Sequence, residues 1–306
     1  MASPAVSEVY VVEASDRSHA VAELWHEVGL PSLEGREVAV KANFNSDDPF
    51  PASTHPETLE AIFGQIRDAG ARKVRLGERS GMGETRAVLM NRGATGVAER
   101  AGAEVVVLDS LPLEEWVAIP ASGLHWRRGF LIARLFREAD AVVQTCCLKT
   151  HRFGGHFSLS MKNLVGIVAE WDVRGDHNYM EELHTSPHQR RMIAEISRFC
   201  PCTIAIMDAT MGFSTGGPER GQRIEPGVML ASTDRIALDA AGVALLRRYG
   251  STPEVMRGRI FDMDQIARAA KLGIGVTSAQ DLRLVALDSE SKDLVFDMRR
   301  ILDGTG

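Results

Sequence analysis

Short runs of β-branched residues alternate along the chain with stretches whose apolar positions recur at helical spacing. This pattern predicts an α/β fold: largely parallel sheets with flanking helices. Residues 37–43, Glu-Val-Ala-Val-Lys-Ala-Asn, read as a strand. Ser53-Thr54-His55-Pro56 then supplies a helix cap and a proline for the first turn. Leu59, Ile62, Phe63 and Ile66 repeat at helical spacing, and Gly70 suits the left-handed position that ends the helix. Further strands are expected at 73–77, 104–109, 141–145, 203–208, 228–232 and 282–287. Helices are expected from the second strand through 99 and at 130–138, 187–199 and 262–271. Asp234 caps another that carries Ile236, Ala240 and Leu245.

Periodicity fails between residues 146 and 186. That stretch holds His151, His156, His177 and His184 among several glycines, with His188 just beyond. A long irregular segment in an α/β chain is uncommon and often functional. A second irregular piece, 211–221, is rich in glycine. The Pro- and Gly-containing stretch 111–123 reads as a junction between an N-terminal α/β lobe, 1–115, and a C-terminal lobe, 116–306, with a cleft between them.

The chain has 306 residues, ample for a buried core, and a formal charge of −6 from 35 basic and 41 acidic residues. A mildly acidic chain with no basic run argues against nucleic acid or an anionic membrane as partner. No apolar stretch approaches the ~20 residues of a membrane span. Residues 1–10 lack the basic and apolar regions of a signal peptide, so a cytoplasmic location is expected. Four cysteines fall in two tight pairs, Cys146-Cys147 and Cys200-Pro201-Cys202. Neither has metal-ribbon spacing, and adjacent cysteines rarely bridge, so reduced thiols beside strands are expected. A thiolate activated by Lys149 and a metal shared by both pairs are the alternatives.

In open α/β sheets ligands bind outside the carboxyl ends of the strands. Four segments fall there: Lys41-Ala-Asn43 with its following polar loop, residues 77–83, residues 149–163 and residues 208–221. Lys41, Asn43, Lys149, Arg152 and Asn163 are candidate receivers of an anionic group. Ser214, Gly216 and Gly217 are candidates for close backbone approach to a ligand. His151, His156 and Lys162 are the candidate catalytic groups, since imidazole titrates near neutrality. His177 and Asp208 are candidate ligands for a divalent metal, although their spacing matches no metal motif. Trp126 and Trp171 flank the polar stretch and are candidates for a pocket wall.

Lys41-Ala-Asn43, Ser53-Thr54-His55-Pro56-Glu57 and Leu76-Gly77-Glu78-Arg79-Ser80-Gly81 together resemble the domain of unknown function 362 family. So do Lys149-Thr150-His151, Ser160-Met-Lys162-Asn163-Leu-Val-Gly166, Met207-Asp208-Ala209, Gly216-Gly217-Pro218 and 234–240, in one order over about residues 38 to 275. Many relatives carry a Cys-rich ferredoxin-like module that this sequence lacks, so no iron–sulfur cluster is expected. The layout of 43–77 also resembles, at the level of topology, the opening of the lactate racemase family. That second resemblance implies a lysine-tethered nickel pincer nucleotide. Lys162 would be the tether, His177 a ligand, and His151 or His156 the acid–base group.

These readings converge on a small-molecule enzyme of isomerase, cyclase or lyase type. It would move a proton on an anionic substrate in an interlobe cleft, as a monomer or a homo-oligomer. A metal- or nickel-pincer-dependent racemase or epimerase and a non-catalytic ligand-binding protein are the alternatives.

Overall fold

The structure, a computed structural model, describes residues 6–154 and 156–304. Gly155, half of the flexible glycine pair expected between His151 and His156, and residues 1–5 of the N-terminal segment lie outside the described residues. The strands are β1 (Ser7–Glu13), β2 (Glu37–Lys41), β3 (Lys73–Glu78), β4 (Glu104–Val107), β5 (Trp116–Ile119) and β6 (Phe130–Ala133). They continue as β7 (Ala141–Lys149), β8 (Ile204–Gly216), β9 (Gly221–Ile224), β10 (Val228–Ser232) and β11 (Leu282–Ala286). Nine of them form one sheet in the order β11-β1-β10-β8-β7-β2-β3-β4, with β9 hairpinned onto β8; β5 and β6 pair separately. The block β8-β7-β2-β3-β4 is parallel throughout, whereas β10 runs against both its neighbours, β1 and β8.

Side-chain alternation explains why helices cover both faces. Val38, Val40, Ala141, Val143, Ile204 and Ile206 point to one core, with Leu59, Ile62 and Ile66 of the helix Pro56–Asp68. Ala39, Val142, Cys146, Leu148, Ala205 and Met207 point to the other, packed by the helices Gln189–Ser197 and Arg235–Arg248. A strand buried on both faces reads as a continuous apolar run, as β7 and β8 do. The helix Arg235–Arg248 is apolar on nearly every side because it lies within the core rather than on its surface.

Two expectations of organisation are corrected. The strands of 1–115 and 116–306 do not form two lobes, because β1 inserts between β10 and β11 and β2 pairs with β7. The expected helix at 130–138 begins as β6, all four of whose residues are buried, and only Arg134–Arg137 is helical. Its antiparallel partner β5 lies in the stretch read as a domain junction. The irregular 146–186 segment also gains order: β7 runs on to Lys149, and short helices form at Ser160–Asn163 and Tyr179–Thr185. The glycine-rich 211–221 piece is the extension of β8 and its turn into β9.

Asp234 caps the central helix as expected, accepting from the amides of Ile236 and Ala237 at 2.7 and 3.2 Å. It also takes the Val276 amide and the Ser7 hydroxyl at 2.7 and 2.8 Å, tying β1 and the segment before β11 to the core. Asp234→Ala is expected to lower the unfolding free energy by about 2–4 kcal/mol, a lost cap plus stranded donors, with Asp234→Asn losing less. Urea unfolding followed by circular dichroism measures both.

Candidate functional site

Strand order places the site. From β2 the chain steps outward to β3 and β4, then returns to β7 on the other side of β2 and continues to β8. The carboxyl ends of β2 and β7 therefore diverge into loops on opposite sides, which leaves a crevice at this switch point. A cavity of about 400 Å³ lies there. Lys41, Asn43, Lys149, His151, Arg152, Lys162 and Asn163 line it, together with Glu78, Arg79 and His184.

Lys41 ends β2 and Glu78 ends β3 on the adjacent strand. The ammonium donates to Glu78 Oε1 at 2.6 Å and to Ala42 O at 2.6 Å, with Asn163 Oδ1 at 3.2 Å. Glu78 also accepts the backbone amides of Arg79 and Phe44 at 3.0 and 3.1 Å. Burial pushes the Lys41 pKa down and the Glu78 pKa up, and their mutual attraction opposes both shifts. We read the pair as charged, because every oxygen and proton facing it is hydrogen-bonded. Gly166 packs over the pair; a Cβ there would sit 3.0 Å from both Glu78 Oε1 and Lys41 Cε.

Arg152 is ion-paired with Glu219, whereas Lys149, Arg79 and Lys162 have no carboxylate partner. Lys149 is buried and donates to the carbonyl of Ala52, which Asn43 Nδ2 also binds at 2.8 Å. Burial lowers its pKa. Arg79 is pinned by the carbonyl of Val168 at 3.0 Å and by Met180 Sδ at 2.9 Å. The Lys162 amine, on the short helix Ser160–Asn163, forms no hydrogen bond or ion pair with a described residue. Burial, then the charges of Arg190, Lys149, Arg79 and Lys41, push its pKa down to about 7. Its helix is held from below: Asp239 accepts the Ser160 and Met161 amides at 2.8 and 3.2 Å.

Two imidazoles flank this amine with fixed and opposite tautomers. His151 Nδ1 accepts the Phe153 amide at 3.3 Å, so a neutral ring carries its proton on Nε2. Burial first, then Lys162, lowers its pKa to about 2, which keeps it neutral in the working range. His184 Nδ1 donates to the Met180 carbonyl at 2.6 Å, one helical turn back, which leaves Nε2 as an acceptor. Burial lowers its pKa also. One ring therefore offers a proton and the other a lone pair.

Other expected residues lie elsewhere. His156 does not line the cavity; its ring lies against Gly154, and the charges that reach it are those of Arg190, Glu254 and Asp264. His177 Nε2 lies 2.7 Å from Glu182 Oε2, with its ring against Tyr179. Asp208 is engaged by Arg17 Nε at 3.0 Å and by Thr58 Oγ1 at 2.6 Å. Ser214 is buried away from the cavity. Gly216 and Gly217 adopt positive φ for backbone packing: a Cβ on Gly217 would fall 2.1 Å from the carbonyl of Thr150. The turn they form buttresses 150–152, where the Arg152 amide donates to Gly217 O at 2.9 Å. The four cysteines are unbridged, and burial raises their pKa, to about 11 for Cys147, so none is an activated thiolate.

The nickel pincer roles implied by the lactate racemase resemblance do not meet in one place. Lys162 and His151 line the cavity, but His177 and His156 do not. Among the described residues no group of three or more His, Cys, Asp or Glu side chains is arranged to hold a metal ion. Glu78 and Arg79 lie in the segment 77–83 expected at the crevice, and His184 in the irregular stretch, but the sequence reading gave none of the three a role. Glu78 becomes visible only once β2 and β3 are paired in register, and His184 only once its helix is folded against the crevice.

Removing one member of the buried pair strands the other. Glu78→Gln is expected to cost about 3–5 kcal/mol, and the double change Lys41→Met with Glu78→Leu to recover most of it. Denaturant unfolding of the three proteins measures this.

A family model described as Domain of unknown function (DUF362) matches residues 38–244. The thylakoid-associated protein sll1697 of Synechocystis is 26% identical over 258 residues, 80% of this chain and 68% of that protein. The lactate racemase apoprotein of Thermoanaerobacterium thermosaccharolyticum aligns over 94% of this chain and 85% of its own, with 15% identity and a TM-score of 0.45. Among the described residues no helix is long and apolar enough to cross a membrane. With the family model covering most of the chain, from β2 into the central helix, this protein belongs to the domain of unknown function 362 (DUF362) family.

Proposed function

We propose that this protein is a small-molecule enzyme that moves a proton on an anionic substrate, with isomerisation or elimination next to a carboxylate as the reaction class. The observation that carries this reading is Lys162: an amine in the wall of the cleft without a carboxylate partner, whose pKa burial and neighbouring cations push down to about 7. A general base works best when its pKa lies near the operating pH. Burial and cationic neighbours are the means by which a lysine reaches that range.

The site divides the work. Lys149 and Arg79 attract the anionic group, and the paired Lys41 fixes the floor on which it rests. Lys162 takes the proton. His151 donates from Nε2 to oxygen that gains charge as the proton leaves; with its Nδ1 lone pair taken by the Phe153 amide, this ring presents only its N–H. The proton held on Lys162 is the one returned to the substrate, and His184 Nε2 is a second acceptor, placed to receive a hydrogen bond from a substrate hydroxyl or amine. This revises the sequence expectation that His156 is a catalytic group beside His151 and Lys162.

Exchange in deuterated water tests the reading before the substrate is known. A panel of small 2-hydroxy, 2-amino and 2-oxo carboxylates incubated with the full chain should include members that lose the C–H signal beside the carboxyl group in proton NMR. Lys162→Met should slow that exchange by about 10²–10⁴-fold, and His151→Ala by about 10²–10³-fold. Exchange unaffected by Lys162→Met would overturn the assignment.

The pH dependence has a definite sign. The base must be neutral, so exchange at low substrate should rise as pH passes about 7 and then level off. Stability gives a check that needs no substrate. The folded-state pKa of Lys162 lies below its ordinary 10.5, so burying its charge costs stability in full below about pH 7. That cost fades as pH rises towards 10.5. Lys162→Met should therefore raise the melting temperature most below pH 7, with the gain shrinking at alkaline pH.

A further inference from the structure

The cationic cleft has a neighbour of opposite character. A second recess of about 340 Å³ shares Arg79 and Glu170 with it and is walled by Leu111, Leu113, Trp116, Leu131, Trp171 and Val173. Nine large hydrophobic side chains are exposed among the described residues, and five of them line these two cavities. Met82 and Phe153 stand on the cleft side; Leu113, Trp171 and Val173 stand on the recess side. Scattered exposed apolar residues need no explanation, but a contiguous group around a charged pocket marks a binding surface. Resting on the proton-transfer reading, we propose that the recess is the specificity subsite of the same enzyme. The substrate class is an anion with an uncharged apolar or aromatic tail, its head in the cationic cleft and its tail across Arg79 against Trp171.

The charges orient that molecule. The recess carries Asp109, Glu170 and Asp172, so an anionic head is repelled there and drawn to Lys149, Lys162 and Arg79. All three carboxylates are engaged within the chain, Glu170 by Asn178 Nδ2 at 3.4 Å. Asp109 accepts from the Thr85 hydroxyl, and Asp172 accepts the amides of Arg174, Asp176 and His177. What remains for a ligand to cover is the indole and aliphatic surface. Arg79 sits at the junction, its Nε and Nη2 held by Val168, Val165 and Met180, while its Nη1 makes no hydrogen bond with a described residue. Arg79 lines both cavities, so it stands where head and tail would meet.

Calorimetric titration of the full chain with acetate, butanoate, hexanoate, octanoate and 3-phenylpropanoate tests this. Affinity should rise by about fourfold for each buried methylene, and phenylpropanoate should exceed butanoate. In Trp171→Ala and in Val173→Ser, both altered at exposed positions, the loss of affinity should grow with tail length. Equal affinity across the series, acetate included, would overturn the recess and leave the anion site standing. The same holds for a loss in the variants that is equal at every length. Tighter binding of 6-aminohexanoate than of hexanoate would also overturn it, since the carboxylates and not the apolar wall would then read the tail. No binding by any member would remove both the recess and the anion site.

Discussion

The Lys41–Glu78 pair is the contact on which the site depends. It joins the ends of two adjacent parallel strands at the point where the strand order reverses, and both side chains are almost wholly buried. Neither charge would be stable there alone, so each requires the other and the hydrogen bonds around them. Those bonds reach Ala42, Phe44, Arg79 and Asn163, and Asn163 in turn donates to the Thr145 carbonyl of β7. One ion pair thus sets the relative positions of β2, β3, β7 and the helix that presents Lys162.

Around this neutralised centre the cleft collects charge that is not neutralised. Lys149, Lys162 and Arg79 converge on a space where Glu170, at the exposed edge, is the other carboxylate. Burial first, and then the repulsion of like charges, is why the Lys162 pKa falls so far. The same repulsion makes the cleft receptive: an anion that binds relieves it. Binding and proton transfer are two uses of one electrostatic arrangement. The two imidazoles stay neutral for the same reason, and their backbone hydrogen bonds decide which nitrogen faces inward.

Much of the sheet was legible because burial on two faces leaves a local trace. Apolar runs marked β2, β7, β8 and β10, alternation marked β3, and Asp234 and Pro56 marked helix starts through backbone chemistry confined to one turn. The terminal pieces β1 and the helix Lys292–Leu302 went unread. Residues 130–138 were misassigned because four consecutive apolar residues fit a helix and a buried strand equally, and the deciding partner, β5, lies in a stretch read as a junction. Lys41, Asn43, Lys149, His151, Arg152, Lys162 and Asn163 were found by one rule, that chemistry gathers at strand carboxyl ends. His156, His177, Asp208 and Ser214 satisfied rules of residue type but face elsewhere, and residue type says nothing about direction.

The amino-acid sequence alone determined the alternating α/β pattern, the capped helices and the polar segments that end β2, β3 and β7, because those depend on neighbours within a few residues. Only the tertiary structure decided that Glu78 meets Lys41, that β1 joins a single sheet, and that His184 rather than His156 stands beside Lys162. Each of those outcomes depends on pairing between segments far apart in the chain, and on the burial that pairing creates. The same burial moves a lysine into the range where it can take a proton, so the protonation states of this site belong to the folded protein.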